Sequence, residues 1–137
     1  MKHALVFGVV LILLSFSLGF GQVAPEKRVV AMIGADGVQR VEMTGGEYYF
    51  DPNIIVVKVN VPVELKVKKA KGIAPHNIVL KAPESGIDFS VSLGSEPKSI
   101  NFTPTKVGTY TFECTHKFLF FKSHKEQGMH GILEVVE

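Results

Sequence analysis

The strongest constraint on the fold is a series of short runs that are either apolar at alternate positions or β-branched throughout, divided by turn residues. Val63, Leu65 and Val67 alternate with Glu64, Lys66 and Lys68, the two-residue period of a strand with one face in a core and one in water. Ile54 to Val59 is a β-branched run between two breaks, Asp51-Pro52-Asn53 and Asn60-Val61-Pro62, which fits a strand bounded by turns. Val41 and Met43 lead to a Gly45-Gly46 turn and then to Tyr48-Tyr49-Phe50. Ile78 to Leu80, Ser99 to Thr103, Gly108 to Cys114 and Ile132 to Val136 read as further strands. Between Lys81 and Gly94, where Pro83, Gly86 and Gly94 interrupt the pattern, a short helix or irregular crossing is expected. No stretch keeps a helical period of useful length. About seven short strands with this punctuation predict an all-β sandwich or barrel.

The 137 residues suit one domain. Met1-Lys2-His3 is a basic start, Ala4 to Phe20 is an apolar or small-residue run, and Gly19-Phe20-Gly21 puts small residues at its end. That order is the pattern of a secretory signal. The expected division is therefore a signal peptide over 1–21, a tether or edge segment over 22–37, and the sandwich domain over 38–137. The expected location is exported and periplasmic, with membrane tethering if the leader stays uncut. Removing the leader takes only Lys2 from the 15 basic residues and none of the 13 acidic ones. The nearly balanced remainder has no basic stripe, so nucleic acid is not an expected partner.

Cysteine usage carries the most chemistry. Exported proteins meet an oxidising compartment in which cysteines normally pair. This chain has one, Cys114, so no internal disulfide can form, and the thiol needs a metal, a partner or burial to protect it. His76, His116, His124 and His130 lie beyond the leader, and Met129 adds a thioether. Thiolate and thioether suit the cuprous ion and imidazole serves both oxidation states, so this set points to copper. Tyr110, Phe112 and Cys114 share one strand face by the two-residue period, which aims the thiol toward the core aromatics. A tetrahedral zinc site could use three histidines and the cysteine but would leave Met129 without a role. With one cysteine, a binuclear copper centre needing two is excluded.

Three segments together resemble the cupredoxins, the plastocyanin and pseudoazurin family of small blue copper proteins. They are Pro75-His76-Asn77-Ile78-Val79, the run Gly108-Thr109-Tyr110-Thr111-Phe112-Glu113-Cys114, and His124-x-x-x-x-Met129-x-Gly131. The resemblance spans most of Glu47 to Glu137. It implies a Greek-key cupredoxin-like β-sandwich, with His76, Cys114 and His124 as equatorial ligands of one copper ion and Met129 as the axial one. It also implies that Asn77 braces the ligand loop through a hydrogen bond near the cysteine. The chain departs from the family between cysteine and second histidine, where family members have two to four residues and nine stand here. His116 competes with His124 for that role, and His124 is preferred because Gly128-Met129 follows it as in a ligand loop. His130 is expected to be a solvated loop residue.

The implied function is a copper protein that cycles between Cu(I) and Cu(II) and carries single electrons between redox protein partners, some of them membrane-bound. Neither catalysis nor a small-molecule substrate is expected, and the chain is expected to be a monomer. Alternative readings are a periplasmic copper-delivery protein for a membrane oxidase and a metal-free cupredoxin-like binding module. Phe118-Leu119-Phe120-Phe121, flanked by Lys117, Lys122 and Lys125, is expected to pack into the core beside the metal, since four large apolar residues rarely all stay wet. An exposed docking patch is its alternative.

Overall fold

Alternation sorts the chain into two packed sheets. The computed structural model describes residues 25–137; the expected leader, 1–21, lies outside the described residues. In chain order the strands are β1 (Arg28–Val30), β2 (Met32–Ile33), β3 (Gln39–Gly46), β4 (Tyr49–Asp51), β5 (Ile54–Lys58), β6 (Val63–Lys69), β7 (Asn77–Ala82), β8 (Ile87–Ser92), β9 (Lys98–Phe102), β10 (Gly108–Glu113) and β11 (His130–Val136). One sheet runs β1-β5-β11-β10-β7-β8, and the other runs β2-β3-β6-β9 with β4 paired to β3. The pairs β1/β5, β5/β11 and β3/β6 are parallel, and the other pairs are antiparallel.

Eleven strands stand where about seven were expected. Three of the additions, β1, β2 and β4, have two or three residues, too few to show a period. The fourth is β8. Its residues do alternate, with Ile87 and Phe89 buried and Asp88 and Ser90 exposed, but Pro83 and Gly86 obscure the pattern. The proline opens only a three-residue 3₁₀ turn, Pro83–Ser85. Within the segment 22–37 lie the edge strands β1 and β2.

The core is the inward half of each alternating strand. On β6, Val63, Leu65 and Val67 are buried while Lys66 and Lys68 face water. Val41 and Met43 of β3, Ile78 and Leu80 of β7, Phe112 of β10 and Leu133 and Val135 of β11 complete the layer. Phe50 meets Phe112 edge to face at 5.3 Å. Each such fully buried side chain is worth about 1.5–3 kcal/mol, and a one-residue slip would turn the whole set outward. On the outer face of β3-β6-β9, Glu64 accepts from Arg40 and from Ser99. These contacts are water-screened and support the register without deciding it.

A buried polar clasp joins the sheets at the end of the sandwich where β3 begins. The Gln39 side chain is 1% exposed. Its Nε2 donates to the Lys58 carbonyl at 2.9 Å and the Val61 carbonyl at 3.1 Å, and its Oε1 accepts from the Lys58 amide at 2.6 Å. Gln39 starts β3, whereas Lys58 ends β5 in the other sheet. At the opposite end of the sandwich, the start of β7, the end of β10 and the start of β11 converge: Glu113 pairs with both Val79 and His130.

Candidate metal centre

The convergence of β7, β10 and β11 places the candidate donors. His76 precedes β7, Cys114 follows β10, and Met129 precedes β11. The Cys114 amide donates to the Met129 carbonyl at 3.0 Å, which closes the base of the long loop carrying His124. His76, Cys114, His124 and Met129 are 3%, 0%, 6% and 0% exposed. The His76 and His124 Nδ1 atoms face each other at 3.1 Å, and the Cys114 Sγ lies 3.5 Å from the His124 Nδ1. One ligand atom from each of the three residues falls within 4.8 Å of the others.

Metal–nitrogen bonds of about 2.0 Å and a metal–sulfur bond of about 2.3 Å put trigonal donors roughly 3.5–3.7 Å apart. The observed 3.1 and 3.5 Å are a little tighter, so an ion fits once the two imidazoles part by a few tenths of an ångström. Two imidazoles and a thiolate meeting at one point is a soft-to-borderline set suited to copper. Burial pushes the His76 imidazole below its ordinary pKa, with His124 adding to the effect. Burial does the same to His124, with His116 as a further cause. Both rings are thereby favoured in the neutral form that ligates a metal. The His76 Nε2 is buried and without a hydrogen-bond partner among the described residues.

The loop is held by bonds that begin with two sequence signals. Asn77 clamps the residue after the cysteine: its Nδ2 donates to the Thr115 Oγ1 and its Oδ1 accepts from the Thr115 amide, both at 2.8 Å. This is the expected brace. The second signal, Ser123-x-x-Glu126, was not anticipated. The Ser123 amide and hydroxyl donate to the Glu126 carboxylate at 2.7 and 2.8 Å, and the Glu126 amide donates to the Ser123 hydroxyl at 3.2 Å. That is a reciprocal capping box. It starts the turn in which the Met129 amide donates to the His124 carbonyl at 2.9 Å. The S-x-x-E spacing was available in the sequence.

Tyr48 and Gly45 also escaped sequence reasoning. The Tyr48 ring stands edge-on to His124 at 5.1 Å and to His76 at 6.5 Å. Gly45 gives Met129 room: a Cβ there would lie 3.3 Å from the Met129 Cε and 2.5 Å from the Leu93 Cδ1. The requirement is close approach, not backbone freedom.

The other histidines lie outside the three-donor group. His116 is half-buried, its ring centroid is 6.1 Å from that of His124, and its carbonyl accepts from the His124 amide at 2.9 Å. His130 is exposed at the start of β11. The expected core packing of the aromatic run is not found: Phe118, Leu119, Phe120 and Phe121 are 66%, 70%, 85% and 54% exposed. Phe112, Met129 and Leu93 fill the core beside the donors, and the long loop carries the run outward. With Ile73 and Tyr48, two of its phenylalanines line an open cleft of about 770 Å³ over His124.

Solved structures share this architecture. The metal-binding domain of the Cu(I)-exporting P-type ATPase CopA of Streptococcus pneumoniae, with Cu(I), superposes with a TM-score of 0.61 at 24% identity, covering 82% of this chain and 99% of that one. Dithionite-reduced auracyanin from Roseiflexus castenholzii gives a TM-score of 0.56 at 21% identity, covering 76% and 100%. The chain has the cupredoxin fold. The periplasmic domain of cytochrome oxidase subunit II of Bradyrhizobium japonicum shares the cupredoxin fold too, with a TM-score of 0.54 at 20% identity over 77% of this chain and 88% of that one. No protein-family profile and no curated protein sequence matches the chain. On this cupredoxin scaffold the His76–Cys114–His124 group sits where three strands of one sheet end together.

Proposed function

We propose that this is an exported mononuclear copper protein that carries single electrons between redox partners. His76, Cys114 and His124 would hold the ion, with the Met129 thioether as a fourth, weaker ligand. The observation that carries the proposal is the buried His76–Cys114–His124 group with both Nδ1 atoms and the thiol sulfur directed at one another. Bound there, a copper ion supplies a one-electron Cu(I)/Cu(II) couple. The chain's own residues keep the donors in place. The Asn77–Thr115 clamp fixes the cysteine end of the loop, the Ser123–Glu126 box fixes the histidine end, and the Cys114–Met129 backbone bond joins them. Donors held by the sheet rather than by the metal change little when the oxidation state changes, which favours fast transfer. His124 lines the open cleft and offers the shortest route to a partner. The role proposed for the site is transfer of electrons and not catalysis.

The domain division proposed with this function is a leader over 1–21 that directs export, an edge segment over 22–37, and the copper domain over 38–137. A second reading, copper delivery, is favoured by the likeness to a domain that carries Cu(I) in a copper-exporting ATPase. A visible absorption spectrum after one equivalent of cupric ion tests the proposal. An intense band that disappears on reduction, returns on reoxidation and is absent from Cys114→Ser supports electron transfer. Copper retained as colourless Cu(I) that does not return to a coloured cupric form would favour delivery, and a product that binds no copper would leave a metal-free binding module.

A further inference from the structure

The exposed aromatic run has a chemistry that the copper site does not use. Exposure rises to 85% at Phe120 and falls on either side, so the four residues form a projecting tip rather than a flat patch. The Phe121 amide donates to the Phe118 carbonyl at 3.0 Å, closing the turn. Leu119 sits at φ 49°, a left-handed conformation unfavourable for a branched side chain. The rings stack on one another, Phe118 on Phe121 at 6.0 Å and Phe120 on Phe121 at 4.8 Å. Lys117 and Lys122 bracket the tip, and neither joins an ion pair among the described residues.

A second apolar point stands beside the first. Ile73 is fully exposed. The turn that carries it is held by Lys69, whose Nζ donates to the carbonyls on either side, Gly72 at 2.9 Å and Ala74 at 3.2 Å. Ile73, Phe118 and Phe121 line the same cleft, so the two tips belong to one end of the molecule.

We propose that the Lys117–Lys122 loop, with Ile73 beside it, is an interfacial membrane anchor that seats the donor end of the domain on an anionic lipid surface. A projecting, pre-stacked aromatic tip can enter the boundary between headgroups and acyl chains without a shaped pocket, whereas a protein partner would need a matching cavity. The flanking lysines lie where lysines snorkel to phosphate. No acidic residue interrupts Lys117 to Lys122. The nearby Glu126 is engaged by Ser123, and Glu47, exposed on the same cleft, sets one negative charge against the two lysines. The inference stands independently of the metal.

The test uses the full chain, metal-free, with Phe120→Trp. The sequence has no tryptophan, so the indole emission reports the tip alone, and the substitution at an exposed position leaves the core intact. Ile33→Trp, on the edge strand β2 and also exposed, controls for tethering by any other part of the chain. Vesicles of phosphatidylcholine with phosphatidylglycerol should shift the emission of the Phe120→Trp protein to the blue, and brominated acyl chains should quench it. The Ile33→Trp protein should respond to neither. Adding Lys117→Gln and Lys122→Gln to Phe120→Trp should weaken the lipid dependence of the shift roughly thirtyfold, the worth of two lysines at an anionic surface. Emission from the tip that is indifferent to these vesicles, or no more responsive than that of the β2 control, overturns the proposal. A tip shift that appears only with membranes containing integral proteins also overturns it and assigns the tip to a protein partner.

Discussion

Replacing Asn77 by alanine removes two hydrogen bonds at once, and their positions fix what should follow. One joins the Asn77 Nδ2 to the Thr115 Oγ1 and the other the Thr115 amide to the Asn77 Oδ1, each at 2.8 Å. A neutral hydrogen bond contributes about 0.5–1.5 kcal/mol net, so the pair contributes about 1–3 kcal/mol. In a domain of this size that lowers the melting temperature by roughly 4–12 °C. Aspartate should recover part of the loss, because its carboxylate accepts from the Thr115 amide and the threonine hydroxyl can turn to donate. Gln39→Leu is the control. It breaks the three-bond clasp about 20 Å along β3 from Gly45, so it lowers stability without touching the donors. Thermal melts of metal-free protein measure the stability, and the rate of copper transfer to a chelator measures the loop. Copper loss should quicken in Asn77→Ala well beyond its change in Gln39→Leu. Equal rates in the two variants, or a melt within about 2 °C of wild type for Asn77→Ala, would refute the clamp.

Other outcomes follow from the same geometry. His124→Ala should abolish the thiolate–copper absorption while His116→Ala keeps it; the reverse result would move the second ligand to His116. The metal-free fold should lose stability as pH falls. His76 and His124 have folded pKa values below the unfolded value of about 6.5, so the unfolded chain binds protons first. Their contribution is full above about pH 6.5 and declines below it as acid protonates the rings of the unfolded chain, levelling off once the native rings also take up protons. Denaturant titrations between about pH 7.5 and 5 should show this decline, reduced in His76→Gln with His124→Gln. No difference between wild type and that variant would place the acid sensitivity elsewhere.

Strand texture made the sandwich legible, because Val63, Leu65 and Val67 or Ile78 and Leu80 announce their faces by spacing alone. Strands such as β1, β2 and β4 are too short to announce anything, and β8 was hidden behind Pro83 and Gly86 although its own alternation is regular. The meeting of His76, Cys114 and His124 was foreshadowed by residue chemistry and by the motifs around Cys114. The aromatic run defied its expectation because burial of large apolar residues is a statistical tendency, and a loop lengthened by its own insertion can carry such residues out of the core's reach. Tyr48 and Gly45 touch the site through space from another strand pair. No sequence period encodes that contact, whereas Ser123-x-x-Glu126 was readable.

The parallel pairing of β5 with β11 sets the timing of assembly. β11 is the last strand of the chain, yet it lies inside its sheet, between β5 and β10. Until it inserts, β5 and β10 have no bridge between them, and the β5–β11 pairing closes a long stretch of sequence, a slow kind of step. The donors follow the same schedule, since Cys114 is fastened to Met129 at the entrance to β11. A chain emerging from its N-terminal side can therefore form hairpins such as β7–β8 early, while the pocket for the ion stays open until the final strand docks. Assembly of the His76–Cys114–His124 group is thus coupled to completion of the fold, and an incompletely emerged chain exposes its thiol before the neighbouring strands can bury it.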